Sequence, residues 1–194
     1  MANEFYALMG RMRYITRWGL MRNTFSENIS EHSHMTAVLA HALALIRRDI
    51  LNLPAPDPDR CAVAALYHDA GEILTGDMPT PIKYYSPRIK GAYSEIEDVI
   101  NRKLLESLPK EMSAKYEEYI RPDTETDEYK LMKVADKVSA YIKCIEERLS
   151  GNKEFDTAYK RLKKQLDGMV DEYPELKFFL DNFGEGYGQQ LDIL

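Results

Sequence analysis

The chain is predicted to fold as a single all-α domain, and three observations carry that expectation. Its long segments repeat their apolar residues at a helical period, with little alternation of the strand kind. Those segments are separated by N-cap, proline and glycine signals of the type that start and stop helices. A length of 194 residues with 44% hydrophobic content suffices for one well-buried core, and no internal repeat or low-complexity segment argues for another architecture.

A first helix is expected over about residues 4–14, followed by a loop that opens at Arg17-Trp18-Gly19 and contains Arg22-Asn23. Ser30 is read as the N-cap of a second helix running to about residue 49. Asp57-Pro58 sets an N-cap before a proline at the first helical position, opening a third helix that reaches about residue 74. In Gly76-Asp77-Met78-Pro79-Thr80-Pro81 two prolines each disfavour helix at the residue before them, so a stiff loop follows. Further helices are expected over about 87–107, 110–119 and 126–150, the last stopped by Gly151-Asn152. Another covers about 154–172. Pro174 then interrupts, 175–182 adds a short helix, and the Gly-containing segment 184–194 is read as a flexible tail. Gly184, Gly186 and Gly188 do not make a phosphate loop, because no strand precedes them and no Lys-Ser/Thr pair follows.

The net charge is −6 and the charged residues are spread along the chain, so no surface for polymeric nucleic acid is implied. A single nucleotide needs only one or two well-placed cations. No apolar stretch has transmembrane length and Met1-Ala2-Asn3-Glu4 carries no signal-peptide pattern, so a cytoplasmic protein with no membrane partner is expected. Cys61 and Cys144 are solitary, far apart and set in amphipathic patterns, which reads as two reduced core thiols.

The adjacent pair His68-Asp69 ends the apolar run from Cys61 to Tyr67 and joins two unlike metal-ligand side chains. At about 100° per residue Asp69 projects well away from His68, so the pair can grip one ion only at a site shared with other helices. His32 is a partner of the right kind: it shares a helix side with Met35, Leu39, Ala42, Leu43 and Ile46, while His34 and His41 fall roughly opposite, in solvent. Taken alone, a core histidine is more often satisfied by a backbone carbonyl, and a His-Asp dipeptide is more often a helix-end charge pair. Asp136 lies off the apolar stripe Leu131, Val134, Ala135, Val138, Ile142 and Ile145, on a weakly apolar side with Met132, Ser139 and Ala140. A solvated aspartate balanced by Lys133 and Lys137 is the plain alternative there. Imidazoles with carboxylates suit a borderline or hard divalent ion such as Mn, Co, Fe or Mg better than a closed structural zinc site. An ion of that kind lowers the pKa of water bound to it, which points to hydrolysis.

The order His32, His68-Asp69, Asp136, each on an expected helix, resembles the H…HD…D signature of the HD-domain metal-dependent phosphohydrolases. The surrounding words are Arg17-Trp18, Arg22-Asn23, Glu27-Asn28-Ile29-Ser30-Glu31-His32-Ser33, Tyr67-His68-Asp69-Ala70-Gly71-Glu72, Thr75-Gly76-Asp77-Met78-Pro79-Thr80-Pro81, Ala135-Asp136 and Tyr141-Ile142-Lys143-Cys144. They resemble the bacterial 5′-deoxynucleotidases of the YfbR type over about residues 14–155, beyond which the likeness thins to a helical C-terminus. Gly71 departs from that pattern, which has serine there.

The resemblance implies one compact helical HD domain over residues 1–194, a homodimer, and hydrolysis of deoxyribonucleoside 5′-monophosphates to deoxynucleoside and phosphate. It implies one divalent ion (Co, Mn, Mg or another) on His32, His68, Asp69 and Asp136, with His32, Asp69 and Asp136 also contacting substrate. Glu72, one turn beyond His68, then serves as general base or proton shuttle, where a surface partner is the plain reading. Arg17 clamps the phosphate through its forked donors, and Trp18 lies against the sugar, where its bulk disfavours a 2′-hydroxyl. Asp77 joins Glu72 and Arg17 among the catalytic residues and, with Met78, Pro79 and Thr80, lines the nucleoside and leaving-oxygen side. Another HD phosphohydrolase, acting on nucleoside triphosphates or guanosine tetraphosphate, would need more cations than Arg17, Arg22 and Lys83 supply. A noncatalytic nucleotide-binding module would have no use for Glu72, Arg17 and Asp77 together, and a purely structural helical protein would bind no metal.

Overall fold

The computed structural model describes residues 3–83 and 85–189, whose regular elements are helical apart from one short strand pair. Helix α1 (Phe5–Met9) runs into a 3₁₀ turn (Gly10–Tyr14), and together they cover the first expected helix. The next stretch departs from expectation: β1 (Thr16–Arg17) pairs antiparallel with β2 (Glu27–Asn28), placing Arg17 opposite Glu27. Strands this short show no alternation, so periodicity carries no signal of them.

The N-cap of α2 (Ile29–Leu45) is Asn28, not Ser30. Its side chain accepts from the Glu31 amide at 3.0 Å while the Glu31 carboxylate accepts from the Asn28 amide at 3.0 Å, a reciprocal capping box. A π turn (Ile46–Ile50) follows. Helix α3 (Pro58–Tyr67) starts as expected at Asp57, whose carboxylate accepts the Asp59 and Arg60 amides. It stops at His68 rather than near residue 74; residues 68–71 form a turn, and α4 (Glu72–Thr75) is a separate short helix. Within the segment expected as a stiff loop, Thr80–Lys83 forms one helical turn, α5, with Pro81 in its first turn, where a missing N–H costs nothing. Helices α6 (Pro87–Glu106), α7 (Lys110–Ile120), α8 (Asp127–Leu149), α9 (Asp156–Asp167) and α10 (Pro174–Phe183) lie close to their expected positions, α9 ending five residues early. After Phe183, Gly184–Gly188 form a 3₁₀ turn whose Tyr187 packs against the main core; residues 190–194 of the expected tail lie outside the described residues. No helix among the described residues is long and apolar enough to cross a membrane.

The main core joins α2, α3 and α8 through Leu39, Leu43, Cys61, Leu131, Val134 and Val138, with Leu166 of α9 and Leu176 and Phe179 of α10. Alanines 37, 40, 44, 65 and 135 in the same cluster let these helices approach closely. Phe5, Ala70, Ile100, Leu104 and Ile120 form a second cluster next to the His68 turn. A third, Cys144, Phe155, Ala158 and Leu162, receives Trp18 and Met21 from the β1–β2 loop. Burial pushes both the Cys61 and Cys144 thiols up to about 12, so they are protonated core side chains.

The far half of α8 grips the β1–β2 loop through a buried ion pair. Lys143 Nζ donates to Glu147 Oε1 at 2.6 Å and to the Phe25 carbonyl at 2.7 Å, and lies over the Phe25 ring. Glu147 accepts the Thr24 amide and hydroxyl and Asn152 Nδ2 at 2.7–3.0 Å. Burial works against ionisation, but Lys143, then Thr24 and Asn152, hold the Glu147 carboxyl down to about 2. Lys143→Met should therefore strand a buried charge and cost about 3–5 kcal/mol of stability in urea unfolding; a loss under about 1 kcal/mol would mean that the pair is dispensable. The folded-state value lies below the ordinary 4.5, so the Glu147 contribution is complete above about pH 4.5 and disappears as pH falls through about 2. Acid titration of stability across that window should be shallower in Glu147→Gln than in the parent, and equal slopes would remove Glu147 as a source of acid sensitivity.

Candidate metal centre

His32, fully buried on α2, places Nδ1 3.0 Å from the Ser139 hydroxyl and Nε2 3.1 Å from Asp136 Oδ1, both partners on α8. His68 sits at the C-cap of α3, where Nδ1 donates to the Ala65 carbonyl at 2.7 Å. A carbonyl only accepts, so that nitrogen carries the proton and a neutral ring presents a lone pair at Nε2. The Nε2 atom is buried, makes no hydrogen bond among the described residues, and has Asp69 Oδ2 at 3.1 Å. Ending α3 at His68 allows this approach, since in a continuous helix Asp69 would point away. Asp69 Oδ2 is also 3.7 Å from His32 Nε2, and Asp136 Oδ1 is 3.9 Å from His68 Nε2. One donor atom each from His32, His68 and Asp136 all lie within 4.8 Å of one another. A bare imidazole nitrogen and a carboxylate oxygen 3.1 Å apart repel unless a proton or a metal cation lies between them, and the grouped donors of His32, His68 and Asp136, with Asp69 beside both rings, fit a divalent ion.

The charges respond in kind. Against its burial, His68 is raised by Asp69, and Asp69 in turn is held far below the carboxylate range by His68. Asp136 is likewise depressed despite burial, chiefly by Lys133, whose Nζ donates to Oδ2 at 2.7 Å. Burial, helped by Arg17, lowers His32. Glu72 opens α4 with its Oε2 buried and without a hydrogen-bond partner among the described residues; burial first, then Asp69 and Asp77, push its carboxyl up to about 9.

Arg17 and Trp18 enter from the β1–β2 ladder. Arg17 pairs with Glu27, its ladder neighbour, and its side chain is 11% exposed. Trp18 has φ +58°, in the left-handed region where a bulky residue is strained. Asp77 Oδ2 accepts the Trp18 amide at 3.1 Å and Asn23 Nδ2 donates to the Trp18 carbonyl at 3.2 Å, which together hold that conformation. The indole packs on Phe155, ring centroids 5.3 Å apart.

A cavity of about 540 Å³ gathers Arg17, Trp18, Asp69, Glu72, Asp77, Met78, Thr80, Lys133 and Asp136 on its walls. A groove of about 400 Å³ shares Arg17, Trp18, Asp77, Met78 and Thr80 with it and adds Pro79, Ile82 and Ala158. His68, Asp69, Glu72 and Lys133 also line a larger cavity of about 810 Å³. The candidate ligands and substrate-side residues named from the sequence therefore lie in the donor cluster or on these walls, whereas Arg22 pairs with Glu154 at the surface. His34 is exposed and His41 stands 3.6 Å from Asp59, both outside the cluster as helical rotation requires. Ser139 and Asn23 were missed as partners; Ser139 had a signal, its place on the Asp136 side of α8. A Cβ at Gly71 would meet Asn101 Oδ1 at 3.1 Å, so serine there would require the Asn101 side chain to give way.

The family model for YfbR-like 5′-deoxynucleotidases matches residues 4–187. A 5′-deoxynucleotidase of Photobacterium profundum is 44% identical over 191 residues, covering 98% of this chain and 97% of the relative. One of Vibrio vulnificus is 43% identical with the same coverage. Among solved structures, an HD-domain phosphohydrolase from Listeria innocua has the same fold with a TM-score of 0.83 at 20% identity, covering 98% of this chain and 90% of the other. A cyanophage S-2L HD phosphohydrolase bound to dA and one catalytic Zn²⁺ ion aligns with a TM-score of 0.61 at 21% identity, covering 89% and 91%. With a helical HD fold, a histidine–aspartate centre and a family match over nearly its whole length, the chain belongs to the YfbR-like 5′-deoxynucleotidase family.

Proposed function

We propose that this chain hydrolyses deoxyribonucleoside 5′-monophosphates to deoxynucleoside and phosphate at the His32–His68–Asp69–Asp136 centre. The observation that carries this proposal is the buried His68 Nε2, facing a carboxylate 3.1 Å away, beside a cavity walled by a half-buried arginine and a strained tryptophan. The names of the relatives support the substrate class. Arg17, Lys83 and Lys133 on the cavity wall are paired with Glu27, Glu97 and Asp136, whereas Lys137 and Arg161 on the same wall make no ion pair among the described residues, so the substrate class rests on the relatives and not on the supply of cations.

A divalent ion held by the four ligands would lower the pKa of water and polarise a phosphate oxygen, with Co, Mn and Mg the candidates to test. Arg17 keeps further N–H donors beyond its bond to Glu27, and these take the phosphate, whose charge grows in the reaction. Glu72, with an unpartnered oxygen beside Asp69, moves the proton between water and the leaving group. Trp18 presents its ring to the sugar from a backbone that Asp77 fixes, and this rigidity supports discrimination against a 2′-hydroxyl. Asp77, Met78, Pro79 and Thr80 line the groove that receives the nucleoside and its leaving oxygen. A cytoplasmic homodimer acting without polymeric nucleic acid or membrane is supported by the family resemblance, the net charge of −6 and the two buried free thiols.

With Mn²⁺ or Co²⁺, purified protein should release phosphate from deoxyadenosine 5′-monophosphate much faster than from its ribose counterpart; absence of release from every nucleoside monophosphate would sink the assignment. Glu72→Gln should retain substrate binding and lower kcat by about 10²–10⁴-fold. Unchanged turnover in that variant would take Glu72 out of the reaction.

A further inference from the structure

The two imidazoles are held differently at their outer nitrogens. His68 Nδ1 meets a backbone carbonyl, which fixes a proton there. His32 Nδ1 meets hydroxyls instead: Ser139 Oγ of α8 at 3.0 Å and, more remotely, Thr36 Oγ1 of its own helix at 3.5 Å. His32, Thr36 and Ser139 are all buried, so bulk water cannot stand in for these contacts. At the other edge of the ring Asp136 Oδ1 lies 3.1 Å from Nε2. A carboxylate only accepts, so a neutral His32 in the ion-free protein carries its proton on Nε2 and its Nδ1 accepts from a hydroxyl. Binding an ion through Nε2 requires the opposite tautomer, with the proton on Nδ1. A hydroxyl can serve both states, because rotation about its C–O bond turns a donor into an acceptor; the carbonyl at His68 cannot.

We propose that Ser139 is a positioning residue that lets His32 exchange tautomers when the centre takes up its ion, while His68 is preset. Ser139 and Asp136 lie three residues apart on one side of α8 and hold the two nitrogens of the same ring, so a single helix sets both its plane and its proton. This rests on the cluster being a metal site, as argued above.

The test is calorimetric titration of the parent, Ser139→Ala and Ser139→Thr with Co²⁺, together with ¹⁵N NMR of the histidine rings before and after adding diamagnetic Zn²⁺. Ser139→Ala should bind Co²⁺ about 10–100-fold more weakly, and Ser139→Thr, which keeps the hydroxyl, should recover most of that loss. In the parent, the His32 proton should move from Nε2 to Nδ1 on metal binding, a readout that needs no variant to fold. Parent-like affinity in the alanine variant would overturn the proposal, as would a His32 proton already on Nδ1 without metal. A parent that binds neither ion would remove the metal site itself and this inference with it.

Discussion

The approach of α2 to α8 sets His32 3.1 Å from Asp136, and much of the remaining structure serves to hold that approach. Imidazoles and carboxylates taken out of water cost several kcal/mol each unless their partners are close and well aligned. Here the cost is offset locally: Lys133 holds the outer oxygen of Asp136, Ser139 takes the far nitrogen of His32, and Ala65 takes that of His68. Alanines in the helix contacts bring the backbones near enough for short side chains to meet, and the leucines and valines around them supply the burial that keeps the helices together.

Helix α8 is the common reference for both halves of the site. Its middle carries Asp136 and Ser139, and its later turns carry Lys143 and Glu147, which tie down residues 24 and 25 of the β1–β2 loop. Arg17 ends β1 and Trp18 opens that loop, so both are anchored to the helix that carries Asp136. The left-handed backbone at Trp18 costs on the order of 1–3 kcal/mol. Asp77 and Asn23 sustain it through one hydrogen bond at each end of the residue.

Helix existence was legible from period and capping chemistry, because those signals are local. Asn28 was readable too, since Glu31 three residues on completes its capping box, but Ser30 is an equally good cap by residue type and competed with it. The break at His68 was not legible: Ala70 and Glu72 are compatible with continued helix, and Gly71 alone is a weak stop. Rotation about α2 correctly turned His32 inward and left His34 and His41 less buried, because a long helix packed on one side makes its faces distinct. On α8 it left Asp136 undecided, since that side is only weakly apolar, and the family signature supplied what geometry did not. The contact from Asp77 to Trp18 spans 59 residues of sequence, and no local pattern announces it.

His68 uses one edge of its ring to bond a carbonyl in the last turn of α3 and offers the other to the ion site. A single side chain thus closes a helix and faces the candidate centre. Selection for foldability and selection for catalysis bear on it together, so no substitution there can relax one without the other. Drift at this position is closed from two sides, whereas the Asp69 carboxylate lies at the candidate centre and on the cavity walls without closing a helix.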